Sequence, residues 1–129
     1  MIAVVGTSAG AFAVDLDTDE VESCEPVSVP PPPVLNLPRV LAAAAVGPTV
    51  VALVDARPPL LVSHDSAATW RESGRGLPQG HAVAIAESAP DTFVYAARDR
   101  LYVSRDGGVF WEAVAVELPE IDTVVLRER

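Results

Sequence analysis

The chain has 129 residues, half of them hydrophobic, and 18 acidic residues against 9 basic ones give it a formal net charge of −9. This length is typical of one domain, the apolar content can supply a core, and the negative charge disfavours a nucleic-acid partner. The single cysteine, Cys24, excludes an intrachain disulfide and with two histidines offers no zinc-ligand spacing, so we expect neither a metal nor another cofactor.

Two further features of the sequence bear on where the protein works. All nine basic residues are Arg and none is Lys, and this acidic, lysine-free composition resembles that of proteins from salt-loving archaea. No run of 18 apolar residues is present, so we expect no membrane span. Residues 1–5 lack the basic start and the longer apolar stretch of a secretion signal, and we therefore expect a cytoplasmic protein.

Residues 1–38 predict a unit of three short strands and a proline-rich loop. Runs rich in Val and Ala at 2–7, 11–16 and 21–24 are typical of strands and are separated by turns. Residues 26–34 (PVSVPPPPV) cannot form a central strand, because proline has no amide hydrogen. The stretch from Pro30 to Pro33 favours polyproline II, either as a stiff loop or as a docking segment or lid.

Residues 39–78 and 79–119 each predict four strands. The apolar residues in these strands are nearly continuous, which indicates sheets buried on both faces. In the first unit the strands are expected at 41–46, 49–54, 60–63 and 69–72, and in the second at 81–88, 93–97, 101–104 and 111–116. Residues 120–129 add one closing strand at 121–126, with no second strand after it.

The two units are copies of each other. With a shift of 41 residues and no gap, Val62 aligns with Val103 and Leu77-Pro78 with Leu118-Pro119. Four short strands in about 41 residues predict a β-propeller blade, which cannot bury its faces alone. We therefore expect an all-β fold of about three four-stranded antiparallel blades, at about 1–38, 39–78 and 79–119, forming half of a six-bladed propeller.

A motif lies at the same place in both copies. Residues 104–111 (SRDGGVFW) have the pattern Ser-x-Asp-x-Gly-x-x-Trp, and residues 63–70 (SHDSAATW) depart from it only at Ala67. The pattern resembles the Asp-box, or bacterial neuraminidase repeat, and the composition is most similar to haloarchaeal propellers of this family. The resemblance implies structural roles, with the Asp and Ser bonded to their own turn and the Trp between sheets. These residues, none of them expected to be catalytic, are Ser63, Asp65, Trp70, Ser104, Asp106, Gly108 and Trp111.

The face opposite the motif turns is the one on which similar families usually hold their site. In this chain it would carry Asp55, Arg57, Arg98, Asp99 and Arg100. The 41-residue shift makes Arg57 and Arg98 equivalent, so they are expected at the same position of adjacent blades. They can receive a carboxylate-bearing anion or pair with the aspartates beside them.

Three blades are too few to surround an axis, since propellers have about 4–8. The first unit lacks its innermost strand, and residues 120–129 offer one. We expect a homodimer in which the last strand of each chain completes the first blade of the other, giving six blades around a two-fold axis. A truncated chain and an open arc are the alternatives.

The expected function is that of a non-catalytic binding or scaffold propeller with a protein partner. The alternative is a glycan-binding protein or a sialidase-like glycoside hydrolase, for which the resemblance implies a Tyr nucleophile and an Arg triad. Tyr95 and Tyr102 both lie in predicted strands, and one chain cannot assemble the triad. We therefore do not expect an enzyme.

Overall fold

The computed structural model describes residues 1–128, which contain twelve β-strands and no helix. The strands form three antiparallel sheets of four strands each, and this confirms the all-β prediction. Valine and alanine dominate the strands that are buried on both faces. Strand β5 (Thr49–Val54, TVVALV), for example, is buried along its whole length.

Sheet I is built from both ends of the chain. Its strands lie in the order β12 (Ile121–Arg127), β1 (Ile2–Thr7), β2 (Gly10–Asp15) and β3 (Val21–Cys24). Residues 25–39 then lead to the next sheet without a regular element.

Sheets II and III keep the order of the chain, so each strand pairs with the one before it through a hairpin. Sheet II contains β4 (Val40–Val46), β5, β6 (Leu60–Ser63) and β7 (Arg71–Ser73). Sheet III contains β8 (Gly80–Ile85), β9 (Phe93–Ala97), β10 (Leu101–Ser104) and β11 (Glu112–Ala113). The last strand of each sheet is the shortest, and the predicted strand at 111–116 is reduced to two residues.

The three sheets stack in the order II, III, I, with their first strands side by side. Strand β8 packs on β4 on one side and on β12 on the other. The core between sheets II and III contains large side chains, among them Leu53, Phe93 and Tyr95. The core between sheets III and I is made mainly of Ala and Val. Sheets with four antiparallel strands, stacked about their first strands, are the blades of a propeller.

The last strand pairs within its own chain. We expected it to complete the first blade of a second chain, but β12 lies antiparallel to β1 of the same chain, with Val4 opposite Val125. The own-chain pairing is possible because residues 25–39 are long enough to return from sheet I to sheet II. A polyproline II chain advances about 3.1 Å per residue, so fifteen residues reach up to roughly 45 Å.

The structural repeat is not the ungapped 41-residue repeat of the sequence. Val51 lies between Ala44 and Val62, whereas Val94 lies between Ala84 and Val103. The first strands are therefore 40 residues apart, the second strands 43 and the third strands 41. The β4–β5 turn is shorter than the β8–β9 turn, while the β5–β6 loop is longer than the β9–β10 loop.

Candidate functional site

The Asp-box turn of sheet II is closed by its own side chains. The Ser63 hydroxyl donates to Asp65 Oδ1 at 2.8 Å and accepts from the Ala67 amide at 2.9 Å. The Thr69 amide donates to Asp65 Oδ1 at 2.9 Å, and the Thr69 hydroxyl donates to Oδ2. These bonds, those of Thr69 first, lower the pKa of Asp65 to about 2.

The Asp-box turn of sheet III has the same closure with different donors. The Ser104 hydroxyl donates to Asp106 Oδ1 at 2.8 Å and accepts from the Gly108 amide at 2.9 Å. The amides of Val109 and Phe110 donate to Asp106 Oδ1 at 3.1 and 3.0 Å. The Phe110 bond is the main cause of the lowered pKa of Asp106, followed by the Ser104 bond. Both motif carboxylates are thus engaged by the backbone of their own turns.

The second motif also joins sheet III to sheet II. The Trp111 indole donates to Ser73 Oγ at 3.1 Å, and the Ser73 hydroxyl donates to the Gly108 carbonyl at 2.5 Å. Arg71 donates to the Gly107 carbonyl at 2.6 Å. The Trp111 ring lies 6.4 Å from that of Phe93, measured between centroids. The arrangement matches the structural role that the resemblance implies for Trp111.

The opposite ends of the third strands carry the predicted ligand face. Asp55, Arg57, Arg98 and Asp99 are exposed, and Arg100 is half-buried and forms an ion pair with Glu117 at 3.4 Å. Among residues 1–128, neither Arg57 nor Arg98 pairs with a carboxylate, so the expected pairing with adjacent aspartates is absent.

The expected equivalence of Arg57 and Arg98 is wrong. The second strands are offset by 43 residues, so Val54 corresponds to Ala97 and Arg98 corresponds to Asp55. Arg57 lies in the part of the β5–β6 loop that sheet III lacks. No ring of equivalent guanidinium groups follows from the repeat.

An apolar groove of about 250 Å³ follows the first strands of the three sheets. Its walls are β4, β8 and β12, and the proline-rich segment lies against it through Val29, Pro30, Pro31 and Pro33. Glu87 is the one charged residue in its lining. The groove therefore offers an apolar surface with a single carboxylate near its edge.

A second groove, which we name the rim groove, runs between the outer strands of sheets II and III and has a volume of about 650 Å³. Val109 and Phe110 stand at its edge and are 61% and 74% exposed. The sequence analysis missed this surface, although the signal was present in the variable positions of the second motif. The side chains that define the rim groove are Pro58, Arg71, Glu72, Ser73, Arg75, Leu77, Tyr102, Val109, Phe110, Trp111 and Ala113.

Two searches of the described part of the chain found nothing. Residues 1–128 contain no group of three or more His, Cys, Asp or Glu side chains placed to hold a metal ion. They also contain no helix long and apolar enough to cross a membrane.

No protein-family model matches the chain, and no curated protein matches it. Among solved structures it is similar to a crystal structure of the GH74 enzyme of Niastella koreensis, with a TM-score of 0.49 and 21% sequence identity. The match covers 91% of this chain and 18% of that enzyme chain, so this chain spans less than a fifth of the enzyme's length. A likeness of this degree carries no argument about activity.

Proposed function

We propose that the chain is a non-catalytic binding module of the Asp-box propeller type, which holds a protein partner at the rim groove. The observation that carries the proposal is the exposure of Val109 and Phe110 beside that groove. Neighbouring apolar side chains at the edge of a concave surface are typical of an interaction site. Arg75 and Glu72 in the lining supply polar contacts that can fix the orientation of a partner.

The chemistry of the motif residues supports binding rather than catalysis. Asp65 and Asp106 accept hydrogen bonds from their own turns, and their pKa values are lowered, so both are ionised acceptors at neutral pH. A general acid needs a raised pKa and an open approach to a substrate. Neither carboxylate meets these conditions.

The experiment that tests the proposal compares two single variants of the tagged protein in a pull-down. Phe110→Ser removes the exposed ring at the rim groove, and Val34→Ser removes an equally exposed apolar side chain from the proline-rich segment. The lysate is used at high salt, in keeping with the salt-adapted composition we propose. We expect a partner that both the wild type and Val34→Ser retain and that Phe110→Ser loses. Retention of every captured protein by Phe110→Ser would contradict the proposal.

The glycoside hydrolase alternative has a specific obstacle in Tyr95. Its side chain is buried, its hydroxyl donates to the Pro78 carbonyl at 2.5 Å, and burial raises its pKa to about 12. A Tyr nucleophile needs an accessible oxygen with a lowered pKa. Hydrolysis of a fluorogenic sialoside by the purified protein, lost in Tyr102→Phe, would instead favour the enzyme.

A further inference from the structure

The two end sheets of the stack each have one face without a sheet against it. Sheet III is covered by sheet II on one side and by sheet I on the other. Among residues 1–128, sheets I and II share no extensive contact between strands. Strand register defines the two faces turned away from sheet III. The outward face of sheet II carries Ala43, Ala45, Val50, Ala52 and Leu61, and the outward face of sheet I carries Val4, Ala11, Ala13, Thr123 and Val125.

The first strands show which parts of these faces are open. On β4, Ala43 is half-buried and Ala45 is exposed. Their counterparts on β8, Val83 and Ile85, are larger and yet buried, because sheet II covers them. Val125 on β12 is likewise half-buried. The outward faces are therefore apolar surfaces that the repeat covers wherever a neighbouring sheet is present.

The motif tryptophans give the clearest comparison. Trp111 precedes β11 and turns toward sheet II, where its indole bonds to Ser73. Trp70 precedes β7 in the same way, and since Arg71 pairs with Val62 on the inner side, register places Trp70 on the outward face of sheet II. The position that Ser73 fills in sheet II is filled by Cys24 in sheet I, since each pairs with the first inward residue of the third strand.

Sheet I of another molecule would thus meet the outward face of sheet II as sheet II meets sheet III. The interface between sheets III and I shows that Ala and Val are bulky enough for such a contact. Two molecules related by a two-fold axis would make this contact twice, and the ring would close with no exposed end face. Six sheets fall within the usual size of a propeller, whereas three do not.

The last strand need not be exchanged in this ring. Fifteen residues, 25–39, join sheets I and II, whereas residues 74–79 and 114–120 suffice to join the neighbouring sheets II to III and III to I. In a strand-exchanged ring β3 would lead to an adjacent sheet, and a connection of that shorter length would be enough. The longer connection suits a return from sheet I to sheet II of the same chain.

We propose that a second copy of this chain closes a six-sheet ring, in which the outward face of sheet I of each copy packs on the outward face of sheet II of the other and each copy keeps its own β12. The second copy also completes the apolar groove along the first strands. This inference does not depend on the rim groove, which lies within one chain.

The first test is the mass of the protein in high salt by light scattering after size exclusion. We expect twice the chain mass of 13.5 kDa for the wild type. Ala45→Arg and Trp70→Ala change the outward face of sheet II and are expected to give one chain mass. Ala68→Arg, also at an exposed alanine but in the Asp-box turn, is the matched control and should keep the doubled mass. Circular dichroism checks that each variant retains its strands.

A wild type that stays at one chain mass at about 100 μM, well above the Kd of a stable dimer, would overturn the ring and leave the face to a different protein. A doubled mass that persists in both Ala45→Arg and Trp70→Ala would overturn the proposed interface.

The second test decides which chain supplies β12. Val4→Cys with Val125→Cys, in a Cys24→Ser background, places two thiols at opposed positions of β1 and β12. After oxidation, denaturing electrophoresis without reductant is expected to show one chain mass with a reduction-sensitive mobility. A covalent band at two chain masses would show strand exchange and overturn the own-chain part of the proposal.

Discussion

Asp65 and Asp106 perform the same structural task with different sets of donors. Asp65 accepts a hydroxyl hydrogen bond from Thr69, for which the second motif has Phe110 instead. The first turn therefore holds its carboxylate with two side-chain hydroxyls, and the second holds it chiefly with amides. The motif spacing predicted that these residues close turns, but it could not predict that Phe110 remains exposed, because its position in the motif is unconstrained.

Asp65→Asn should reduce the sensitivity of stability to acid. The pKa of Asp65 is about 2 in the folded protein, against an ordinary value of 3.8. The ionised carboxylate therefore stabilises the fold above the ordinary value, and this contribution is lost as pH falls through about 2. We expect the urea midpoint of the wild type to fall more between about pH 5 and about pH 2 than that of Asp65→Asn. Asp122→Asn, which alters an exposed carboxyl outside the motif, should behave as the wild type.

Ala67→Gly should stabilise the protein by about 1 kcal/mol. Ala67 has a φ of 70°, in the left-handed region that disfavours a Cβ atom, whereas the other motif has Gly108 there with a φ of 91°. The converse change, Gly108→Ala, should destabilise by more, since its Cβ would also lie 2.8 Å from Ser73 Oγ. Denaturant unfolding of both variants measures the difference. A loss of stability in Ala67→Gly would contradict the strain argument.

At the scale of strands, the sequence predicted nearly all elements but not their exact correspondence. Val-rich runs and turn residues located the strands within one or two residues in most cases. The offsets of 40, 43 and 41 residues were hidden, because a longer turn in sheet III is almost balanced by a longer loop in sheet II. An ungapped alignment averages such changes, and for that reason it paired Arg57 with Arg98 wrongly.

Gly80→Ala should destabilise the start of β8 by about 1–3 kcal/mol, because it overfills a packed site. A Cβ at this position would lie 2.3 Å from Tyr95 Cζ. The Tyr95 ring cannot easily move away, since it is fully buried and its hydroxyl is bonded to Pro78. Thermal unfolding should show a clear loss for Gly80→Ala and a change within about 0.5 kcal/mol for the exposed neighbour Gln79→Ala. Equal effects would argue against the ring contact.

At the scale of the whole molecule, charge should control the association of two copies. Glu22 shares the outward face of sheet I with Ala13, and Glu72 shares the outward face of sheet II with Leu61. Ring closure would bring these outer strands together with like charges in a molecule of net charge −9. Salt reduces such repulsion, since the Debye length falls from about 10 Å at 0.1 M to about 3 Å at 1 M.

We therefore expect the dimer to be favoured by salt. Sedimentation at several concentrations should give a dissociation constant that falls as sodium chloride rises from about 0.1 M to about 1 M. Glu72→Gln should make this dependence weaker, and Glu112→Gln, an exposed change in the outer strand of sheet III, should leave it as in the wild type. A dissociation constant that rises with salt would contradict this account of the interface.

The pairing of β1 with β12 means that the order of the sheets along the polypeptide is, in effect, cyclic. Ile2 lies opposite Arg127, so a short glycine-rich link between the natural ends would make sheet I a continuous run of hairpins. New ends could then be opened in residues 30–33, where the backbone belongs to no strand. Such a circular permutant should fold with the same sheets and thermal midpoint, because none of its hydrogen-bonded ladders depends on where translation starts.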